Sequence, residues 1–193
     1  MNVFYFIVAI FISFPIYSQT QEDLNAIRGV EIYLFKEICN NPNSFYKLPK
    51  EKQDQLFNDY DSFKEFPVEY CPDYINLKKC NLQEDPFLLG SDIKSFNWNT
   101  KTLVLSEEGK SKLSTIKFKY FGAPFSLKIK GEHIFNAWFW SIGSSQICSR
   151  VYGKLMPNTN SINLRFAKGF GCGPNPLEDE NITAKIVSLQ HQN

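Results

Sequence analysis

From Gly90 to Phe166 the chain alternates apolar and polar residues with a period of two, the mark of half-buried antiparallel strands. Asp92 to Phe96 and Lys101 to Leu105 flank the polar stretch Asn97-Trp98-Asn99-Thr100 and read as a hairpin. Ser106, followed by Glu107 and Glu108, suits the start of a short helix ending at Leu113. Ile116, Phe118 and Tyr120 alternate with lysines as a further strand. Phe125, Leu127 and Ile129, a Gly131-Glu132 turn and the run His133 to Trp140 form the clearest hairpin in the chain. In the last hairpin, Leu155 opposite Ile162, Gly153 opposite Leu164 and Val151 opposite Phe166 puts the apolar residues on one face. A slip of one residue would send half of them to solvent. Thr183 to Leu189 reads as a closing strand.

The first half is less regular. Gly29 to Lys36 (GVEIYLFK) has the composition of a strand, with a helix running to Cys39 as the alternative. Pro49 precedes KEKQDQLFNDYDSF, where Leu56, Phe57, Tyr60 and Phe63 recur at helical spacing and predict one amphipathic helix. Residues 66 to 90 contain Pro67, Pro72 and Pro86 without sustained periodicity, and read as an irregular connection. Together these elements predict a single α+β domain over residues 19–193. It has a mostly antiparallel sheet of about five to seven strands, with one longer and one or two short helices.

Residues 1–18, MNVFYFIVAIFISFPIYS, have the layout of a cleaved secretory signal: ten consecutive apolar residues from Val3 to Ile12, then Pro15 and the small Ser18. That stretch is shorter than the roughly 20 apolar residues needed to span a bilayer, and no later stretch approaches this length. The expectation is export to the periplasm or the extracellular space, with no membrane span after cleavage. Export would place Cys39, Cys71, Cys80, Cys148 and Cys172 where disulfides persist. Cys71 and Cys80, in CPDYINLKKC, close the shortest loop and are the expected bridge. Cys148 and Cys172 are a second candidate if the glycines at 169, 171 and 173 break strand regularity, which would leave Cys39 as the free thiol.

Twenty-one Lys and Arg against 20 Asp and Glu give a formal net charge of +1, so there is little pull toward nucleic acid. With two histidines and no C-x-x-C pair, no metal site or cofactor is expected. Gly169-Phe170-Gly171-Cys172-Gly173 lacks the Lys and following helix of a phosphate loop. The run His133-Ile134-Phe135-Asn136-Ala137-Trp138-Phe139-Trp140 is the densest aromatic stretch. Trp138 and Trp140 share one face and Phe135 and Phe139 the other, as in a strand covered on both sides. If one face stays open, Trp138 and Trp140, together with Trp98, are the candidate binding residues. Glu132 and His133 are adjacent, which on a regular strand points them to opposite faces. Asn181-Ile182-Thr183 is a glycosylation sequon, relevant only in a eukaryotic host.

The stretch PFLLGSDIKSFNWNTKTLVLSEEGKSKL, followed by FSLKIKGEHIFNAWFWSIGSS, resembles a family of uncharacterised exported bacterial proteins, many from Bacteroidetes-like organisms. Ile93, Ser95, Phe96, Asn97, Trp98, Thr102, Leu103, Leu105, Glu108 and Gly109 carry the first part of the likeness. Gly131, Glu132, Ile134, Phe135, Phe139, Trp140, Ser141, Ser144 and Ser145 carry the second. The apolar strand, Gly-Glu, apolar strand hairpin is more distantly similar to the periplasmic domain of the export factor SecD. The resemblance implies an exported α+β protein and supplies no catalytic residue.

On these grounds the chain is expected to be a non-catalytic exported protein that binds a protein or cell-envelope ligand. A rival reading is an envelope hydrolase using His133 with Ser144, Ser145 or Cys148. A third is a secreted inhibitor or immunity-type protein whose Cys71 to Cys80 loop protrudes into a partner's cleft.

Overall fold

The computed structural model describes residues 27–36, 43–59, 63–116, 122–140, 148–156, 159–167 and 171–191. The leader at 1–18, Cys39, Ser144, Ser145 and the alternation at 117–120 lie outside the described residues. Seven strands follow in chain order: β1 (Val30–Leu34), β2 (Ile93–Asn97), β3 (Thr102–Leu105), β4 (Gly122–Ile129), β5 (Glu132–Trp140), β6 (Val151–Lys154) and β7 (Ser161–Phe166). They form one sheet in the order β1-β4-β5-β6-β7-β3-β2, antiparallel except for the parallel pair β5 and β6. Three helices accompany them: α1 (Lys50–Asp59), α2 (Glu107–Ser114) and α3 (Glu180–His191). The α+β class and mostly antiparallel sheet expected from the pattern are therefore present.

The sheet curls until its edges nearly meet, and Ile27, just ahead of β1, bridges Phe96 of β2 through a backbone hydrogen bond of 3.0 Å. One face of every strand feeds a single interior cluster, including Ile32, Leu127, Phe139, Val151, Leu164 and Leu103. Inside it Phe125 and Phe139 stack 4.2 Å apart. Near-closure removes most of the exposed edge that an open sheet would carry.

Local chemistry sets the hairpins. Lys130 and Gly131 both take positive φ, 50° and 82°, as a two-residue turn between right-twisted strands requires. The turn is thus Lys130-Gly131, and Glu132 opens the next strand. Val151 faces Phe166 and Gly153 faces Leu164, the register expected from the apolar pattern. Ser106 caps α2 by accepting from the Gly109 N–H at 3.1 Å. Gly109 is needed at that place because a Cβ there would fall on the Asp92 carbonyl oxygen.

The expected closing strand at 183–189 is instead the middle of α3. Ile182, Ile186 and Leu189 recur at helical spacing and meet the interior cluster. Asp179 Oδ1 caps the helix by accepting from the Asn181 and Ile182 N–H groups at 2.8 and 3.4 Å. The helix expected after Pro49 does form, but it buries only Leu56, while Phe57 is 57% exposed.

The cysteine pairing also differs. Cys71 bonds to Cys172, with Cα atoms 5.6 Å apart, and not to Cys80; Cys148 is a free, buried thiol and does not pair with Cys172. Cys80 is disulfide-bonded as well. The physical reason lies in where each sulfur packs. Cys71 and Cys172 sit in a cluster with Phe45, Leu56 and Phe66, whereas Cys80 and Cys148 pack in another with Phe35, Ile75, Trp138 and Trp140. A short loop is cheap to close, but for the same reason its bridge stabilises little. A bridge across 101 residues restricts the unfolded chain far more.

Candidate functional site

The outer face of β5 positions the site. A bulge in the pairing with β4 sets Leu127 opposite Phe135 but Lys128 opposite His133, leaving Ile134 as the extra residue. The bulge shifts side-chain parity, so His133 and Asn136, which a regular strand would point to opposite faces, come together with Nε2 3.0 Å from Oδ1. Asn136 also donates from Nδ2 to the Ile75 carbonyl at 3.4 Å, and Trp138 Nε1 donates to the Asp73 carbonyl at 3.0 Å. Residues 73–75 are thereby laid along the strand.

Asp73 fixes this segment to the approach of β6. Its Oδ2 accepts from the Ser149 N–H at 2.5 Å and from the Ser149 hydroxyl at 2.8 Å. On the other flank, the Cys172 N–H donates to the Ser149 carbonyl at 2.9 Å. Arg150 Nη1 donates to the carbonyls of Cys172 at 2.6 Å and Pro174 at 3.0 Å, and its guanidinium lies 5.5 Å from the Phe166 ring. Burial lowers the pKa of Arg150, and Asp73 is among the groups that pull it back up.

These segments and the start of α3 enclose a cleft of about 270 Å³. Tyr74, Phe135 and Ile182 give it apolar walls with Pro174 and Pro176 beside them, and Asp73, Asn136, Arg150 and Asp179 contribute polar groups. All four polar residues are half-buried. The arrangement can hold a small ligand with an apolar body and polar ends.

None of the three tryptophans lines this cleft. Trp138 and Trp140 meet edge to face at 6.0 Å and are 8% and 6% exposed, covered by the 71–82 segment. Trp98 is 2% exposed in the interior cluster, where Nε1 donates to Thr183 Oγ1 at 3.0 Å. The Lys101 ammonium sits 3.3 Å above the Trp98 ring, and burial pushes its pKa down to about 8 against the pull of Glu178. The structure therefore places Trp138 and Trp140 on one covered face and Trp98 inside, with no shared open platform.

Of the catalytic candidates, Glu132, His133 and Cys148 lie among the described residues, and each engages different partners. Glu132 pairs with Lys185 at 3.2 Å, and the same ammonium donates to the His133 carbonyl at 2.9 Å. The His133 ring meets the Asn136 amide and, among the described residues, no carboxylate within hydrogen-bond reach; burial lowers its pKa. Burial, with the charge of Asp73, holds the Cys148 thiol well above its usual range, the opposite of an activated nucleophile. Among the described residues no group of three or more His, Cys, Asp or Glu side chains could hold a metal ion, and no helix is long and apolar enough to cross a membrane.

Asp73, Tyr74, Arg150 and Asp179 were not anticipated. A weak signal existed for one of them: Arg150, one of three arginines, stands between Cys148-Ser149 and the apolar-patterned β6. The other three lie in segments without periodicity or at a helix start read as a strand. Comparisons with known protein families, curated protein sequences and solved structures find no match.

Proposed function

We propose that this chain is a non-catalytic exported protein that binds a protein or cell-envelope ligand, and that the ligand contacts the cleft beside β5. The observation that carries the reading is the cleft itself: apolar walls and four half-buried polar groups on a frame fixed by the Cys71–Cys172 disulfide. Export to the periplasm or beyond is supported by the 1–18 leader pattern and by that disulfide, which an oxidising compartment maintains. That His133 meets no carboxylate among the described residues, together with the raised pKa of Cys148, favours binding over hydrolysis. Cys71 bonds Cys172, so an inhibitor reading loses its Cys71–Cys80 staple; Cys71 and Ile75 are buried while Leu77, Lys78 and Lys79 are exposed.

The test is retention of ligand by the purified, disulfide-intact protein after incubation with envelope extract, with bound material released by denaturation and weighed by mass spectrometry. Ile182→Asp, which puts a charge on a half-buried apolar wall of the cleft, is expected to lower retention about tenfold or more. Ester and peptide reporters should be hydrolysed no faster than in buffer. Equal retention by the variant, or a turnover that His133→Ala abolishes, would sink the proposal.

A further inference from the structure

The lining of the cleft restricts the chemistry of its ligand. Its volume of about 270 Å³ lies just below the range of about 300 to 1,000 Å³ typical of pockets for drug-sized ligands, so the occupant is small. Its charged groups are one cation, Arg150, and two carboxylates, Asp73 and Asp179. Arg150 forms no ion pair within 4 Å among the described residues; its hydrogen bonds go to two backbone carbonyls. Asp73 acts on the guanidinium electrostatically from beyond ion-pair distance, so among these residues Arg150 makes no direct contact with a carboxylate and its planar donor fork can take an incoming one. Asp179 uses Oδ1 to cap α3, and Asp73 uses Oδ2 on Ser149, so each retains an oxygen able to accept from a cation. A purely anionic ligand would meet both carboxylates, and a purely cationic one would meet Arg150. A ligand carrying both charges satisfies both ends, with Tyr74, Phe135 and Ile182 left for an apolar side chain.

We infer that the cleft binds a free amino acid or dipeptide with an apolar or aromatic side chain, its carboxylate at Arg150 and its ammonium toward Asp179 and Asp73. This rests on the proposal above that the cleft is the ligand-contacting surface. The chain would then recognise free zwitterionic building blocks or breakdown products of proteins or of envelope peptides.

The test is calorimetric titration of the full, disulfide-intact protein with L-phenylalanine and alanyl-phenylalanine. N-acetylphenylalanine lacks the ammonium and phenylalaninamide lacks the carboxylate, so the two serve as probes of each end. At least one zwitterion is expected to bind, and each blocked compound about two- to fivefold more weakly, the scale of one partly exposed ion pair. Asp179→Asn keeps the helix cap, since Asn caps as well as Asp, but removes the charge. It should weaken L-phenylalanine and phenylalaninamide and leave N-acetylphenylalanine unchanged. Blocked compounds that bind as well as the zwitterions would overturn the inference. So would no binding of either zwitterion while envelope material is still retained, an outcome that leaves the broader proposal standing. If neither zwitterions nor envelope material bind, both readings fall.

Discussion

The interior of the curled sheet and the layer of loops on its outer face are held by different physics. Inside, each strand contributes residues to one apolar cluster, and hairpins supply three of the six strand pairings, β2–β3, β4–β5 and β6–β7. Outside, order comes from contacts distant in sequence: the Cys71–Cys172 bond, the Asp73 carboxylate on Ser149, and Arg150 on the carbonyls of Cys172 and Pro174. The interior is robust because its contacts are many, nondirectional and mutually supporting. The outer layer depends on a few directional links, and the cleft is built where those links converge.

The largest effect should come from the interior. Phe139 is fully buried and stacked on Phe125, so Phe139→Ala should cost about 3 to 5 kcal/mol and lower the unfolding midpoint in denaturant for every probe together. A loss below about 1 kcal/mol would mean that the interior is not the cooperative centre. Removing the outer link should cost less. Chain entropy for a bridge across 101 residues gives about 4.7 kcal/mol, a figure that measured losses often fall short of, and Cys71→Ser with Cys172→Ser is expected to cost about 3 kcal/mol. The distribution of that loss is more telling. Hydrogen exchange should quicken at residues 71–75 and 171–174 while β4 and β5 amides stay protected. Uniform loss of protection would show that the two regions unfold as one unit.

What the sequence makes legible follows the same division. The β4-β5 hairpin, the β6-β7 register and the Ser106 cap are local, and residue types a few positions apart are enough to specify them. The disulfide partner of Cys71 is not local: it depends on which cluster each sulfur enters, and only the folded sheet decides that. α3 was misread because Ile182, Thr183, Ile186 and Val187 have strand-like composition, while the cap at Asp179 and the 3.6-residue spacing set the outcome. The candidate site was nearly invisible for a related reason. Asp73, Asn136, Arg150 and Asp179 come from four separate segments, and the bulge at Ile134 changes which residues share a face.

The smallest effect lies at the seam between the two regions. His133 sits at the bulge, where burial outweighs its hydrogen bond to the Asn136 Oδ1 and, with the nearby Lys185 and Lys128, holds its pKa below the ordinary value of 6.5. In the unfolded chain the imidazole takes up a proton near pH 6.5, whereas in the folded protein it does so only at lower pH. Between those two values the unfolded state binds more protons, so stability must fall as pH drops. The loss begins near pH 6.5, grows until the folded pKa is passed, and then levels off. Carboxylates with lowered pKa, such as Asp92 held by Lys112, weaken only below about pH 4, in a separate window. His133→Gln, which keeps an amide beside Asn136 but does not titrate, should flatten the profile between pH 7.5 and 5 and leave the acid limb unchanged. Chemical denaturation of both proteins across that range checks it. Parallel profiles would show that the ring gains no protection from the fold, and would remove the electrostatic reason for reading the His133–Asn136 contact as part of the frame of the cleft.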